Sequence, residues 1–301
     1  VAGNLILHQI SKQSVLINEI NINDEVLAEV NSQTRQMRAQ NHSATHLLHK
    51  ALKEVLGNSI SQKGSNVDAP YFTFDFNFNR GMTPEEIKKV EDLANSYIKS
   101  GEVETRLMAL DAARESGAEA LFGEKYDSEV RVVKMGPSIE LCGGTHVKHT
   151  SEIEVIKIIS EKSIASGIRR IEAKSGAEAK KYLAEKENER KNAISDLQEK
   201  IRNKDLEVVQ LGGKSLGNVD SNENDSEKLS QELKKREKEI ERLRKLALTS
   251  ELQNLKAEKI GDKNFVSHIF KNIDGKDLRE ITTEIKNKPE FKNDSVIAIF
   301  S

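Results

Sequence analysis

Thr34-Arg-Gln-Met-Arg-Ala-Gln-Asn-His-Ser-Ala-Thr-His-Leu-Leu-His-Lys-Ala-Leu-Lys-Glu-Val-Leu56 is where the pattern of the chain changes from strand to helix. Leu47, Leu48, Ala51, Leu52 and Val55 recur at helical spacing, and Gly57 is a natural stop. Before it, residues 1–30 alternate apolar and polar (Leu5-Ile6-Leu7, Val15-Leu16-Ile17, Val26-Leu27) between Asn, Asp and Ser breaks. That alternation predicts the end of a small β-barrel-like unit. After the helix, Phe72–Phe76 has the period of a strand, and Thr83-Pro84-Glu85-Glu86 opens a helix running to about Ser100, with Gly101 ending it. Val130–Met135 and Ile153–Ser160 read as strands flanking a loop, Gly136–Thr150. Residues 31–175 are therefore expected to form one α+β domain of mixed helices and antiparallel sheet.

From Gly176 the composition shifts. Between Ala177 and Gln210 eight basic and eight acidic residues fall in 34 positions, with no Pro or Gly. Ile194, Leu197, Ile201 and Val208 mark one apolar stripe, and Leu229, Leu233, Ile240, Leu243, Leu252 and Leu255 mark another. Residues 211–226 are polar and glycine-rich, so the simplest expectation for 176–260 is an antiparallel helical hairpin around a flexible loop. Residues 261–301 read as a β/α stretch opening a further, partial domain.

Composition narrows the function. The 301 residues carry 47 Lys+Arg against 49 Asp+Glu, a formal net charge of −2, which argues against general coating of nucleic acid but leaves room for a local basic groove. No apolar run is long enough to span a membrane. The single cysteine, Cys142, excludes an intramolecular disulfide and fits a reducing, cytoplasmic compartment. A start at Val1 and an end at Ile-Phe-Ser suggest a piece of something longer.

Two local patterns carry chemistry. His42 and His46 lie four apart on the first helix, on one face, as two imidazoles sharing a metal require; His46 and His49 form a competing pair. Cys142 sits four residues before His146 across Gly143-Gly144, whose backbone freedom would turn both side chains toward one point, with His149 as the decoy on that side. Nitrogen and sulfur ligands from a helix pair and a loop pair make a tetrahedral zinc site plausible, closed if four bind and open to water if three do. Gln62-Lys63-Gly64-Ser65 is either a pocket wall or a plain turn. Asp75 is expected to point to the opposite face from Phe74 and Phe76, toward solvent. Lys157, Lys162, Arg169, Arg170 and Lys174 against Glu161 and Glu172 make residues 155–174 locally +3, suited to a phosphate backbone or to solvent.

Asn41–His49, Gln62–Ser65, Leu121–Tyr126, Glu140–Val147 and Gly167–Ala173 together resemble, in order, the editing domain of bacterial alanyl-tRNA synthetase. The likeness is strong over residues 1–175. It is looser for the helical linker and for the tail with Asp277-Leu278-Arg279, which resembles the start of the family's C-terminal domain. The related threonyl-tRNA editing domain shares both ligand pairs but is expected to carry Pro before the last histidine, where this chain has Thr145. The resemblance implies hydrolysis of serine or glycine wrongly esterified to tRNA(Ala), and zinc held by His42, His46, Cys142 and His146. It implies Gln62 as a pocket residue, with Thr45, Asp75 and Thr145 as further candidates; the locally basic Lys157, Lys162, Arg169 and Arg170 are then the candidates for the tRNA acceptor end. It also implies an upstream aminoacylation domain as partner and a homodimer through the C-terminal region. No aminoacylation core is read in these residues, so this chain alone is not expected to activate alanine. A free-standing editing hydrolase and a non-catalytic, zinc-stabilised tRNA-binding module are the alternatives.

Overall fold

A computed structural model describes residues 21–25, 27, 29–120, 126–220, 223–270, 275–291 and 295–300. The expected strands at 5–7 and 15–17 and the motif at 121–125 lie outside them, and the described residues of 21–30 include no strand. The chain divides into two compact units between Ala184 and Glu185.

The first unit is organised by α1 (Ser32–Leu56). The Asn31 side chain caps it by accepting from the Thr34 N–H at 2.8 Å, and Gly57, at φ 115°, closes it with its N–H on the Lys53 carbonyl at 2.9 Å. Then follow β1 (Gln62–Val67), β2 (Phe72–Asn77), α2 (Pro84–Tyr97), β3 (Val103–Ala109), α3 (Leu110–Glu115), β4 (Glu129–Met135), β5 (Ser138–Leu141), β6 (Ile156–Ala165) and β7 (Ile168–Ser175). The capping box expected of Thr83 and Glu86 is formed, but α2 ends at Tyr97, short of Ser100. The strand expected to begin at Ile153 begins at Ile156, because Thr150–Ile153 closes a 3-10 turn.

An antiparallel sheet of order β1-β2-β7-β6 presents Phe72, Phe74, Phe76, Ile171 and Ala173 to Leu47, Leu48, Ala51 and Leu52 of α1 and to Val90 and Ala94 of α2. All of these are buried, and each large apolar side chain contributes about 1.5–3 kcal/mol by leaving water. A smaller antiparallel sheet, β3-β4-β5, abuts this core through β4. Val133 and Met135 join the main core, while Val130 and Val132, on the other face, form a second one with Ala113, Ala118 and Leu141. Burial of both faces of β4 seats the end of β5, and the loop after it, near α1.

In the second unit, α4 (Gly176–Gln210) continues past the division, and α5 (Ser226–Asn254) begins at an Asp225 cap. The apolar stripes are where the sequence puts them, but the two helices run parallel. Ile194 and Ile201 cluster with Leu229 and Leu233, whereas Val208, later in α4, clusters with Ile240 and Leu243, later in α5. The ion pairs Asp205–Arg236 (3.2 Å) and Glu207–Arg244 (2.7 Å) advance in the same sense. The antiparallel hairpin fails because the described residues after α4 run back along it and do not turn at its end: Asp205 holds Ser215 and the Leu216 N–H, and Gln198, further back along α4, donates to the Glu223 carbonyl. Arg236, 1% exposed, locks this path through Asp205, Glu232 and the Gly217 carbonyl (2.6 Å). The loop is thereby anchored where flexibility was expected. Beyond α5 come β8 (Glu258–Ile260), β9 (Lys263–Ile269), α6 (Gly275–Asn287) and β10 (Ser295–Phe300). β9 pairs antiparallel with β8 and parallel with β10.

Candidate metal centre

His42 and His46 are successive turns of one face of α1, and the loop leaving β5 brings Cys142 and His146 against them. Cys142 Sγ lies 3.5 Å from His42 Nε2 and 3.5 Å from His146 Nε2, and His46 Nε2 lies 3.1 Å from His146 Nε2. One donor atom from each of the four falls within 4.8 Å of every other. The loop is fixed from both sides. Arg131 on β4 donates to the Cys142 and Gly144 carbonyls, each at 2.8 Å, and the buried Ser43 of α1 accepts from the Val147 N–H at 3.1 Å.

The glycine turn works differently from expectation. Neither Gly143 nor Gly144 has a positive φ. Gly144 is required by contact: a Cβ there would stand 2.0 Å from His42 Cε1, whereas one at Gly143 would meet nothing within 4 Å.

This donor set fits a zinc ion. Tetrahedral bonds of about 2.0–2.1 Å to nitrogen and about 2.3 Å to sulfur place N···N edges at about 3.3 Å and N···S edges at about 3.6 Å. The observed 3.1 and 3.5 Å separations match. Each α1 histidine turns its Nδ1 outward, His42 toward the Thr145 carbonyl (3.3 Å) and His46 toward Glu140 Oε2 (2.8 Å). Their Nε2 atoms are left facing the centre.

Electrostatics favour a cation there. Burial would raise the Cys142 thiol, but the histidines around it, His146 first, bring it down to about 3, so the sulfur is a thiolate at neutral pH. Burial opposes charge on His46, yet Glu140 overcomes this and raises it to about 10. Glu140 resists its own burial and stays well below the usual carboxylate range because His46 and His49 face it. Two anions thus flank the imidazoles.

Glu140 was missed in the sequence. Its signal was available: two residues before Cys142 on a strand, it shares the face of the thiol. Its Oε1 takes Ser138 Oγ (2.9 Å) and His49 Nδ1 (3.3 Å), which explains why His49 is no ligand. His149 caps the 3-10 turn at Ser151, away from the cluster.

The other candidates are dispersed. Thr145 is exposed beside the centre, with its carbonyl on His42. Thr45 is buried and bonds the Asn41 carbonyl (2.9 Å). Gln62 lies opposite Phe76 and donates to Ser65 (3.1 Å), with no hydrogen bond to the cluster among the described residues. Asp75 does not face solvent; it is 8% exposed and forms a two-pronged pair with Arg170 at 2.6 and 2.8 Å. Arg169 is likewise paired with Glu161, and Lys157 with Glu91 at 2.8 Å. Lys162 is exposed on β6.

Residues 130–172 match the family described as the threonyl and alanyl tRNA synthetase second additional domain. Over its whole length the chain is 38% identical to the alanine–tRNA ligase of Francisella tularensis subsp. mediasiatica, covering 32% of that protein. Over 88% of its length it is 40% identical to that of Wolbachia pipientis and 42% identical to that of Acetivibrio thermocellus, covering 28% of each. The chain spans about a third of the length of the curated relatives it matches. No helix among the described residues is long and apolar enough to cross a membrane.

Proposed function

We infer that this chain, a relative of the alanine–tRNA ligases along its whole length, edits: it hydrolyses the ester that joins serine or glycine to tRNA(Ala). One observation carries the reading, the convergence of His42 and His46 of α1 on Cys142 and His146, the latter two lying in the stretch matched by the second additional domain. In domain terms, residues 31–175 would be the editing module, 176–260 its helical linker, 1–30 the end of a β unit and 261–301 part of a C-terminal domain.

The need for such a site is physical. A synthetic pocket shaped for alanine cannot exclude glycine, and its rejection of one added hydroxyl is limited to about 100-fold. A second pocket that hydrogen-bonds the hydroxyl separates serine from alanine, since a buried partner left unpaired penalises alanine by about 1–3 kcal/mol.

Zinc bound by the four residues would supply a Lewis-acid centre at the aminoacyl end. The chain's own groups do the rest. Arg131 and Ser43 fix the loop, so that the cluster is held before substrate arrives. Thr145, exposed beside the cluster, is placed to meet the amino acid. Gln62 is assigned to the pocket through resemblance. Asp75 and Thr45 are committed to Arg170 and Asn41 and serve the framework. Of the four basic residues assigned to tRNA, Lys157, Arg169 and Arg170 are paired with carboxylates, and the exposed Lys162 is the best phosphate contact.

Single-turnover hydrolysis of seryl- and alanyl-tRNA(Ala) by the zinc-loaded chain tests this. Fast loss of serine, slow loss of alanine and impairment of both by Cys142→Ala are expected. Equal rates for the two amino acids would remove the proofreading claim.

A further inference from the structure

The cluster has an ordered polar layer behind it. Glu140 sits 6% exposed at the end of β5, with both oxygens engaged: Oε2 accepts from His46 Nδ1 at 2.8 Å, while Oε1 accepts from Ser138 Oγ at 2.9 Å and from His49 Nδ1 at 3.3 Å. His49, 4% exposed, turns its Nδ1 to this contact, while its Nε2 is buried without a hydrogen bond, 4.0 Å from Glu119 Oε2. One turn beyond a ligand, it holds the carboxylate and not the ion. Behind it lies a cavity of about 90 Å³, lined by His49, Ser138 and Glu140 together with the ion pair Lys53–Glu119.

We propose that Glu140, clamped by Ser138 and His49, is a positioning residue for the metal centre: it fixes the His46 ring in the tautomer and orientation that aim Nε2 at the ion. A carboxylate acceptor at Nδ1 puts the proton there and leaves the lone pair on Nε2. The Nδ1 of the other α1 ligand, His42, has among the described residues the Thr145 carbonyl at 3.3 Å and no carboxylate, so the two helix histidines are held unequally. The clamp matters because a carboxylate with one oxygen free could rotate away from His46. Ser138 and His49 remove that freedom from two directions. This inference rests on the metal reading of the cluster but not on the editing reaction.

The test uses the full chain and zinc itself, titrated against a chromophoric chelator, with the absorption of the cobalt-substituted protein as a second readout. Glu140→Gln keeps the shape but can present an N–H where His46 needs an acceptor; a loss of zinc affinity of about 10–100-fold is expected, with a shifted cobalt spectrum. Ser138→Ala removes one neutral hydrogen bond from the clamp and is expected to lose about 2–10-fold. Lys88→Gln, exposed on α2 and paired with Asp92, should bind zinc as the parent does. Parental affinity and an unchanged cobalt spectrum in Glu140→Gln would overturn the proposal. If circular dichroism shows that variant unfolded, Ser138→Ala decides: reduced affinity in a folded chain supports the clamp, and parental affinity overturns it. Weakened zinc binding in Glu140→Gln, together with a parent chain that binds zinc but fails to discriminate seryl-tRNA, would sink the editing reading and leave this one standing. A parent chain that binds no zinc overturns both.

Discussion

Gly143 and Gly144 provide a matched pair of substitutions. Both lack a positive φ, so alanine at either position is not forced into the left-handed region. A Cβ on Gly144 would stand 2.0 Å from His42 Cε1 and 2.5 Å from Nδ1, against an ordinary carbon contact of about 3.5–4.0 Å. The ring must therefore retreat by about 1.5 Å. A zinc–nitrogen bond tolerates about 0.2 Å. The retreat exceeds that severalfold, so His42 either leaves the ion or stays under compression. Compression of this kind costs about 1–3 kcal/mol, which is about 5–150-fold in zinc affinity; departure costs more. At Gly143 the same methyl meets nothing within 4 Å. Competition titration of the full chain with a chelator, alongside circular dichroism, should show Gly144→Ala folded and weakened by that factor and Gly143→Ala like the parent. Equal zinc affinity in the two variants would refute the packing argument.

Three further outcomes follow from single contacts. Arg236→Ala strips the buried cation from Asp205 and Glu232; since both carboxylates keep some solvent, a destabilisation near the lower end for broken buried pairs, about 3 kcal/mol, is expected in denaturant melts. Lys162→Gln should reduce the salt slope of tRNA binding by roughly 0.7–0.9, whereas Arg169→Gln, which loses its Glu161 pair, should lower stability and leave the slope alone. Glu86, held down to about 2 by Arg80 and the Thr83 N–H, has a folded value below its ordinary 4.5. Its contribution is therefore full above pH 4.5 and fades as pH falls toward 2. The stability gap between the parent and Glu86→Gln should close over that window, and a gap constant with pH would contradict the assignment.

The sequence was most informative where a residue's type is tied to its local geometry. The α1 stripe, the Gly57 stop and the Thr83–Glu86 box are local patterns and each is where it was expected; the His42–His46 and Cys142–His146 pairs are local too, and the fold brings them together. What could not be read depends on partners distant in sequence. Whether Asp75 faced solvent turned on Arg170, 95 residues away. The sense of α5 turned on Arg236 and Asp205 capturing a polar loop that composition alone renders as flexible. Glycine pairs suggest conformational freedom, and only the placement of His42 reveals that Gly144 is needed for space. Glu140 was quoted within a motif without a role, because a carboxylate on a short strand gives no sign of burial until Ser138, His46 and His49 surround it.

X-ray absorption at the zinc edge of the metal-loaded full chain addresses the centre most directly. One sulfur at about 2.3 Å with three nitrogens at about 2.0–2.1 Å is the shell that His42, His46, Cys142 and His146 dictate. A shell without sulfur, or one unchanged by Cys142→Ala, would contradict it.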